Sequence, residues 1–307
     1  MTASDPVVDI CMLTWNTRDI TVAALQHLFD TDQGVPFRVL LRDNGSTDGT
    51  ADAVAAAFPH VVVDAGTENV GFARGVNLLI AQSQAPYVLI LNGDAWPEPQ
   101  ALARLVAAAR ARPQVGAVAP LLRAPDGALE RSTWPWPSLR LSFLYASGLR
   151  RLVPRRLAER WLLENAWEHD RPRWVGWAVG AAWLVPREVL VRVGGLDEQF
   201  FMYGEDVEWC WRLRDAGYGI WFEPSAVVRH VGSASADRKW AGDVAARKAV
   251  ASADVMRMRR GSGIAALWQM LEVVIAARVW VRARRRGDTA ALHWARSVIR
   301  AHLRPSR

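Results

Sequence analysis

The feature that most constrains this chain is a rhythm in roughly its first 120 residues. Short β-rich runs alternate with helical patterns, and each run ends in a polar cluster. "VVDICML" (Val7 to Leu13) reads as a buried strand, and "TRDITVAALQHLF" as the helix after it, with Thr17 as N-cap. "FRVLL" (Phe37 to Leu41) is a second strand, followed by an alanine-rich helix from Gly49 to Phe58. "HVVVD" (His60 to Asp64) and "YVLIL" (Tyr87 to Leu91) are further strands, with "GFARGVNLLIAQ" a helix between them. A helix from Pro97 to Arg110 and a strand near Val115 to Ala119 complete the series. Parallel strands need long crossovers, usually helical, so this order predicts a mostly parallel α/β sheet covered by helices. Ligands of such sheets sit beyond the carboxyl ends of the strands. The polar clusters "TWN", "RDNGSTDGT", "GTENVGFARG" and "NGD" fall there.

Composition excludes several other classes. Hydrophobic residues make up 51% and charged residues 22%, a globular balance. Cys11 and Cys210 are far apart, with no C-x-x-C pair, so neither a disulfide framework nor a zinc site is expected and a reducing compartment fits. The N-terminus does not read as a signal peptide, and no uninterrupted apolar run suggests a membrane span. The net charge of +7 is concentrated in the tail, where Asp288 is the one acid from Arg278 onward, so no nucleic-acid groove is expected. Between Arg123 and Arg173 the pattern weakens, and the prolines of "STWPWPSL" bar it from a central strand. Order returns with a strand at Ala178 to Val185, a short helix from Pro186, a helix from about Glu205, and a strand at Ile220 to Phe222.

Several residues carry candidate chemistry. "RDNGSTDGT" has the residue types of a turn and cap, yet Asp43 at a strand's carboxyl end can also accept a hydrogen bond from the N–H of a pyrimidine base. "ENVGFARGVN" lacks both the dinucleotide and the P-loop spacings. It still offers a glycine-loosened helix N-terminus suited to phosphate, with Arg74 adding charge. Glu205 and Asp206 open a helix after an aromatic stretch; a carboxylate partly buried beside another has a raised pKa and suits general-base work. A hard divalent ion on Asp94 and two phosphate oxygens can take His230 as a further ligand.

Taken in order, "LTWN", "RDNGSTDGT", "ENVGFARGVN", "LILNGDAWPEP", "VGAAWLVPREVLVRVGGLDEQFFMYGEDVEWCWRLRDAGY" and "VVRHVGSAS" resemble the family-2 inverting glycosyltransferases of GT-A fold, in the rhamnosyltransferase-like branch. The resemblance covers about residues 7 to 235. It implies a Rossmann-like, mostly parallel sheet flanked by helices over 1–240, with a nucleotide-binding half (about 1–120), an acceptor half (about 121–240) and a basic helical extension at 241–307. It places Thr14 and Asn16 near base and ribose, Asp43 on the base, and Asn69, Gly71, Arg74, Asn77 and Asn92 around the nucleotide. Asp94 becomes the metal-binding member of a D-x-D element, with His230 completing the site, Asp206 the catalytic base and Glu205 its companion. Asn92 stands where the first Asp is usual, and Gly93 where this branch often carries proline.

The implied reaction is inverting transfer of a sugar, rhamnose from dTDP-rhamnose foremost, to a cell-envelope glycan or lipid-linked acceptor with Mg²⁺ or Mn²⁺. The alternative is a nucleotide-sugar-binding protein without turnover, motivated by Asn92. "GIAALWQMLEVVIAARVWVRARRR" is a helix that either packs on a protein surface or lies on an anionic membrane. The second reading suits a cytoplasmic protein held peripherally on the inner face of the cell membrane.

Overall fold

The computed structural model describes residues 5–161, 167–232 and 244–303. The end of "VVRHVGSAS" and the expected boundary at 240 lie outside the described residues. The chain divides into two compact units, one of residues 1–134 with 168–235, the other of 135–167 with 236–307. The stretch 135–167, expected within an acceptor half, therefore gathers with the C-terminal helices.

In the first unit the alternation is realised as β1 (Val8–Thr14), α1 (Arg18–Asp30), β2 (Phe37–Asp43), α2 (Thr50–Ala57), β3 (Val62–Ala65), α3 (Phe72–Gln82) and β4 (Tyr87–Asn92). A short β5 (Ala95–Pro97) precedes α4 (Ala101–Arg110), so the helix expected from Pro97 starts later. Then come β6 (Val115–Arg123), β7 (Leu129–Glu130) and β8 (Thr133–Trp134). In the second unit, α5 (Leu139–Ser147), a 3-10 turn at Leu149–Leu152 and α6 (Arg155–Arg160) follow. The first unit resumes with β9 (Arg173–Val175), β10 (Trp177–Ala178), β11 (Ala182–Pro186), α7 (Arg187–Val193), α8 (Glu205–Asp215) and β12 (Gly219–His230). Three helices end the second unit: α9 (Val244–Arg260), α10 (Ser262–Arg286) and α11 (Thr289–Leu303).

The main sheet runs β3-β2-β1-β4-β11-β6-β12-β5, with β7 on β6 and β9 on β12. β1 is parallel to β2 and β4, β2 to β3, and β6 to β12, while β11 is antiparallel to both its neighbours. The nearly all-apolar faces of β1 and β4 explain their central place, because helices bury both sides of a parallel sheet. β8 pairs with β10 in a separate two-stranded sheet, as the prolines beyond Trp134 require. Two expectations of extent are corrected. The strand expected at Ala178–Val185 is split, since β10 ends at Ala178 and β11 begins at Ala182. β12 runs far beyond Phe222, because a register shift between Glu223 and Val227 absorbs Pro224 and lets pairing resume to His230.

Asp9, buried in β1, anchors the sheet's amino end. It takes two hydrogen bonds from Arg38 (2.8 Å each) and the backbone N–H groups of Gln84 (2.6 Å) and Ala85 (2.9 Å). Burial raises its pKa, but these donors outweigh that and hold the carboxyl below its ordinary value.

In the second unit α10 packs through small residues. Ala276 meets Ala249 and Val298, while Ala265 and Trp268 join Ala253 and Met256. By length and composition α10 is apolar enough to cross a membrane, although Gln269 and Glu272 interrupt its apolar run.

Candidate active site

All four polar clusters emerge at the carboxyl ends of β1 to β4, as parallel topology dictates. The first three brace one another. Asn16, in a left-handed conformation (φ 51°), donates its N–H to Ser46 Oγ (2.8 Å) and accepts from the Thr47 N–H (2.8 Å). Asp43 Oδ1 accepts from the Ser46 N–H (3.0 Å) and hydroxyl (2.5 Å), an Asx turn that commits one oxygen. Asn44 donates to Asn69 Oδ1 (3.0 Å) and to the Gly71 carbonyl (3.1 Å), and Asn69 Oδ1 also accepts the Gly71 N–H (3.0 Å). Asn16, Asp43, Asn69 and Gly71 thus stand together.

Other residues expected to contact the nucleotide have partners within the protein. Thr14 turns its hydroxyl inward to Thr17 (2.7 Å) and Thr21 (2.8 Å), which also explains why Thr17 does not cap α1 through its side chain. Asn77 braces the loop before α8, bonding Leu196 through both its oxygen (2.8 Å) and its nitrogen (2.9 Å), and Glu198 (2.9 Å). Arg74 is exposed, 4.0 Å from Glu198.

At the end of β4 the sequence-distant partners meet. His230, the last residue of β12, pairs in register with Ala95 and brings Nε2 to 3.4 Å from Asp94 Oδ1 and 3.4 Å from Asn92 Nδ2. The Val231 N–H donates to the Asp94 carbonyl (3.0 Å), locking the approach. The opposite ring nitrogen, Nδ1, lies 2.9 and 3.0 Å from the two oxygens of Glu130. Burial pulls the imidazole's pKa down, but hydrogen bonds and charge from Asp94 and Glu130 win and lift it to about 9.

Sequence reasoning missed Glu130. The signal was the Asp126-Gly127 pair, which turns β6 back into β7 and sets Glu130 opposite Leu122.

α8 presents Glu205 and Asp206 in its first turn, where the helix dipole favours acids. The chain enters through two successive left-handed residues, Tyr203 (φ 71°) and Gly204 (φ 89°). For a tyrosine that conformation costs about 1–3 kcal/mol, the kind of strain concentrated at functional sites. The helix is held from behind by the stacked Trp183 and Trp209 rings, by the Trp209 indole on the Gly194 carbonyl (2.9 Å), and by Arg212 on the Val193 and Gly195 carbonyls (3.0 and 2.6 Å). Glu205 is buried, and among the described residues its Oε2 has no hydrogen-bond partner. Burial, and then the charge of Asp206, push its carboxyl well above the usual range.

The two centres lie close. The Asn92 N–H donates to the Ala181 carbonyl (3.0 Å), and a Cβ on neighbouring Gly180 would stand 3.8 Å from Asp206 Cβ. Phe201, just before α8, takes the Phe72 N–H (2.7 Å) at the mouth of α3, beside Gly71.

A mostly parallel sheet with its polar loops at one edge, and an acid-bearing helix beside them, is the GT-A architecture. Two solved structures share it: mannosyltransferase PcManGT from Pyrobaculum calidifontis, in complex with GDP-Man and Mn²⁺ (TM-score 0.61, 18% identity, 99% of this chain and 89% of that one), and GalNAc-T7 with UDP, GalNAc and Mn²⁺ (0.60, 14%, 96% and 55%). The model of glycosyl transferase family 2 matches residues 9–160. N-acetylglucosaminyl-diphospho-decaprenol L-rhamnosyltransferase of Mycobacterium tuberculosis (strain ATCC 25618 / H37Rv) is 37% identical over 224 residues, 69% of this chain and 72% of that protein. Rhamnosyltransferase WbbL of Escherichia coli (strain K12) is 41% identical over 56 residues, 18% of this chain and 21% of its own. The chain belongs to glycosyl transferase family 2 and is a rhamnosyltransferase-like enzyme that transfers sugar from a nucleotide-sugar donor.

Proposed function

We propose that the enzyme moves rhamnose from dTDP-rhamnose to a lipid-linked, cell-envelope acceptor, with inversion, using one divalent ion. The likeness to the mycobacterial rhamnosyltransferase supports the sugar and the lipid-linked acceptor. The observation that carries the chemistry is the meeting of Asn92, Asp94 and His230 beside the Asp206 helix.

The donor set fits a divalent ion. A carboxylate oxygen and an imidazole nitrogen, both buried and 3.4 Å apart, suit Mg²⁺ or Mn²⁺. Among the described residues no group of three or more His, Cys, Asp or Glu forms a complete cage, so remaining positions go to donor phosphates and water. When bound, the ion neutralises charge on the leaving diphosphate. Glu130 accepts the Nδ1–H of His230, so that when the ion displaces the Nε2 proton the freed lone pair faces Asp94. The loop built by Asn16, Asp43, Asn44 and Asn69 receives the nucleotide, and Asp43 Oδ2 takes the ring N–H of the base.

Asp206 removes the proton from the acceptor hydroxyl. The oxygen then forms its bond to the anomeric carbon as the carbon–phosphate oxygen bond breaks on the opposite face, and the electron pair leaves with the nucleoside diphosphate. Glu205, kept neutral by burial, adds no second charge to the site and donates a hydrogen bond to Asp206 or to the acceptor. One displacement needs one base, so no covalent sugar–enzyme intermediate forms.

The enzyme works on the cytoplasmic face of the membrane, where α10 holds it at the surface. Transfer from dTDP-rhamnose to a polyprenyl-diphosphate-linked amino sugar tests the reading. Asp206→Asn should abolish transfer while keeping donor binding, and Asp94→Ala should weaken Mn²⁺-dependent donor binding. Full transfer by Asp206→Asn refutes the assignment of the base.

A further inference from the structure

We propose that the second unit carries a docking surface for an anionic lipid bilayer, built jointly by one side of α10 and by the 3-10 turn Leu149–Leu152. Arginines take the headgroup phosphates, and apolar side chains enter the boundary between headgroups and acyl chains. This deepens the membrane contact of α10 proposed above, but it rests on a separate set of residues and not on the transfer chemistry.

α10 has three sectors rather than two. Ala265, Ala276 and Ala283 are buried. On the opposite side Leu267, Met270, Val274 and Val281 follow one another at helical spacing and are 48, 66, 44 and 42% exposed. Along one flank run Arg278, Arg282 and Arg286, at i, i+4 and i+8.

This row is tied to the 3-10 turn. Arg278 Nη1 donates to the Ala146 and Ser147 carbonyls (3.0 and 3.3 Å), the last carbonyls of α5. The turn that follows brings Arg150 and Arg151 alongside. Arg282 shows the crowding: burial first, and then repulsion from Arg151, Arg278, Arg150 and Arg286, lower its pKa. Among the described residues no carboxylate pairs with Arg151, Arg282 or Arg286. Beside them Leu152 and Leu149 are 77 and 45% exposed.

Like charges gathered without counter-ions raise the free energy of the fold, and a layer of anions relieves it. The exposed leucines and the apolar side of α10 specify which anions. They have no favourable place on a nucleic-acid backbone, but they match the interface of a bilayer. In a two-fold contact this face would meet its own copy, which brings the same arginines rather than anions. The helix lies along the surface rather than across it. Its alanine face is already packed, and Glu272 at mid-helix is held by the Ser142 hydroxyl (2.8 Å).

Flotation of the full chain with vesicles tests the proposal. Binding is expected to mixed phosphatidylcholine–phosphatidylglycerol vesicles, to fall with salt, and to be weak on pure phosphatidylcholine. The pair Arg282→Gln and Arg286→Gln should weaken it about 25-fold, at about fivefold for each basic residue near an anionic surface. Leu152→Ser should weaken it with the salt dependence unchanged. Thermal melts and dTDP-rhamnose binding of the same variants, expected unaltered, show that the fold and the donor site persist. Equal binding to both kinds of vesicle, or unweakened binding by the double arginine variant, overturns the proposal. So does a dimer in sedimentation equilibrium that Met270→Lys dissociates. Loss of vesicle binding with transfer intact rejects this surface alone. Absent transfer by a wild type that binds vesicles as expected rejects the donor–acceptor reading and supports this one.

Discussion

Replacing Gly71 by alanine probes how the loop before α3 holds the loop before α8. Gly71 enters α3 at φ +89° and ψ 174°, a region essentially closed to side chains, and occupying it costs an alanine about 1–3 kcal/mol. Its Cβ would also stand 2.5 Å from the Phe201 carbonyl oxygen and 3.1 Å from Phe201 Cα. Both atoms are backbone, and the carbonyl is held by the Phe72 N–H (2.7 Å), so it cannot yield without losing that bond. Strain, overpacking and the weakened hydrogen bond together give about 3–6 kcal/mol. Gly49 is the control. It also has positive φ (+77°), but its Cβ would meet nothing within 4 Å, so alanine there costs about 1–2 kcal/mol of backbone strain alone. Urea unfolding of the two variants should therefore separate them by at least about 1 kcal/mol, with similar m values. Phe201 leads into Tyr203, Gly204 and the Asp206 turn, so its displacement should lower kcat about 10–100-fold, because small misplacements of reacting groups are costly. Equal destabilisation by the two alanines, or full turnover by Gly71→Ala, would refute the coupling.

Glu130→Gln should weaken Mn²⁺ binding about 10–100-fold, the usual effect of removing the partner that orients a ligating imidazole; Mn²⁺ titration by electron paramagnetic resonance reads it without turnover. Glu205→Gln should stabilise the protein near neutral pH while slowing transfer. The folded pKa of Glu205 is raised, so its contribution to stability is complete below the unfolded value of about 4.3 and is lost as pH rises toward the folded one. Unfolding curves from pH 4 to 8 should be flatter for the glutamine variant, and a parallel pair of curves contradicts the buried-acid account. Asp9→Asn should cost about 3 kcal/mol at pH 7, as it leaves Arg38 unpaired beside the strand ends. The Asp9 pKa is lowered, so its stabilisation exists above the unfolded value of about 3.9 and is lost as pH falls through the folded one. The gap between wild type and variant must narrow in acid, and a constant gap in urea titrations refutes it.

The sheet was legible because parallel topology leaves a strong mark: apolar runs in β1 and β4, helical spacing between them, polar residues at every carboxyl end. Asp94 and His230 could be paired from sequence through their chemistry, and β12 does bring them within 3.4 Å. What sequence could not reveal was direction. Thr14 ends β1 beside the polar clusters, but a cluster of hydroxyls beneath the strand end takes its side chain. Asn77 lies in α3, but its amide is matched to the backbone of Leu196. Short elements were also lost, since β7 has two residues and its partner is set by the Gly127 turn rather than by any pattern of its own. The second unit was hidden for a different reason. Its insertion and its C-terminal helices are far apart in sequence, and packing such as Ser142 on Glu272, 130 residues away, joins them.

The Asn92-Gly93-Asp94 turn shows why a departure from a family pattern need not weaken a site. The Gly93 N–H donates to the Leu13 carbonyl (2.8 Å), and its own carbonyl accepts from the Thr21 hydroxyl (3.2 Å). A Cβ here would stand 2.9 Å from the Leu13 oxygen and 2.9 Å from Thr14 Cβ. The position therefore demands a residue with an N–H and without a side chain, and proline supplies neither condition. That close approach draws the end of β4 against the end of β1 and leaves the flanking side chains, Asn92 and Asp94, to meet one imidazole. His230 already has a carboxylate at each nitrogen, Asp94 on one side and Glu130 on the other. An aspartate at 92 would add a third, and like charges that close raise one another's pKa values instead of sharing a cation freely. An amide lets Asn92 bond to imidazole or substrate without joining that competition. The acid missing from residue 92 is matched by one at residue 130, across the ring, where it holds Nδ1 and leaves Nε2 to Asp94 and Asn92.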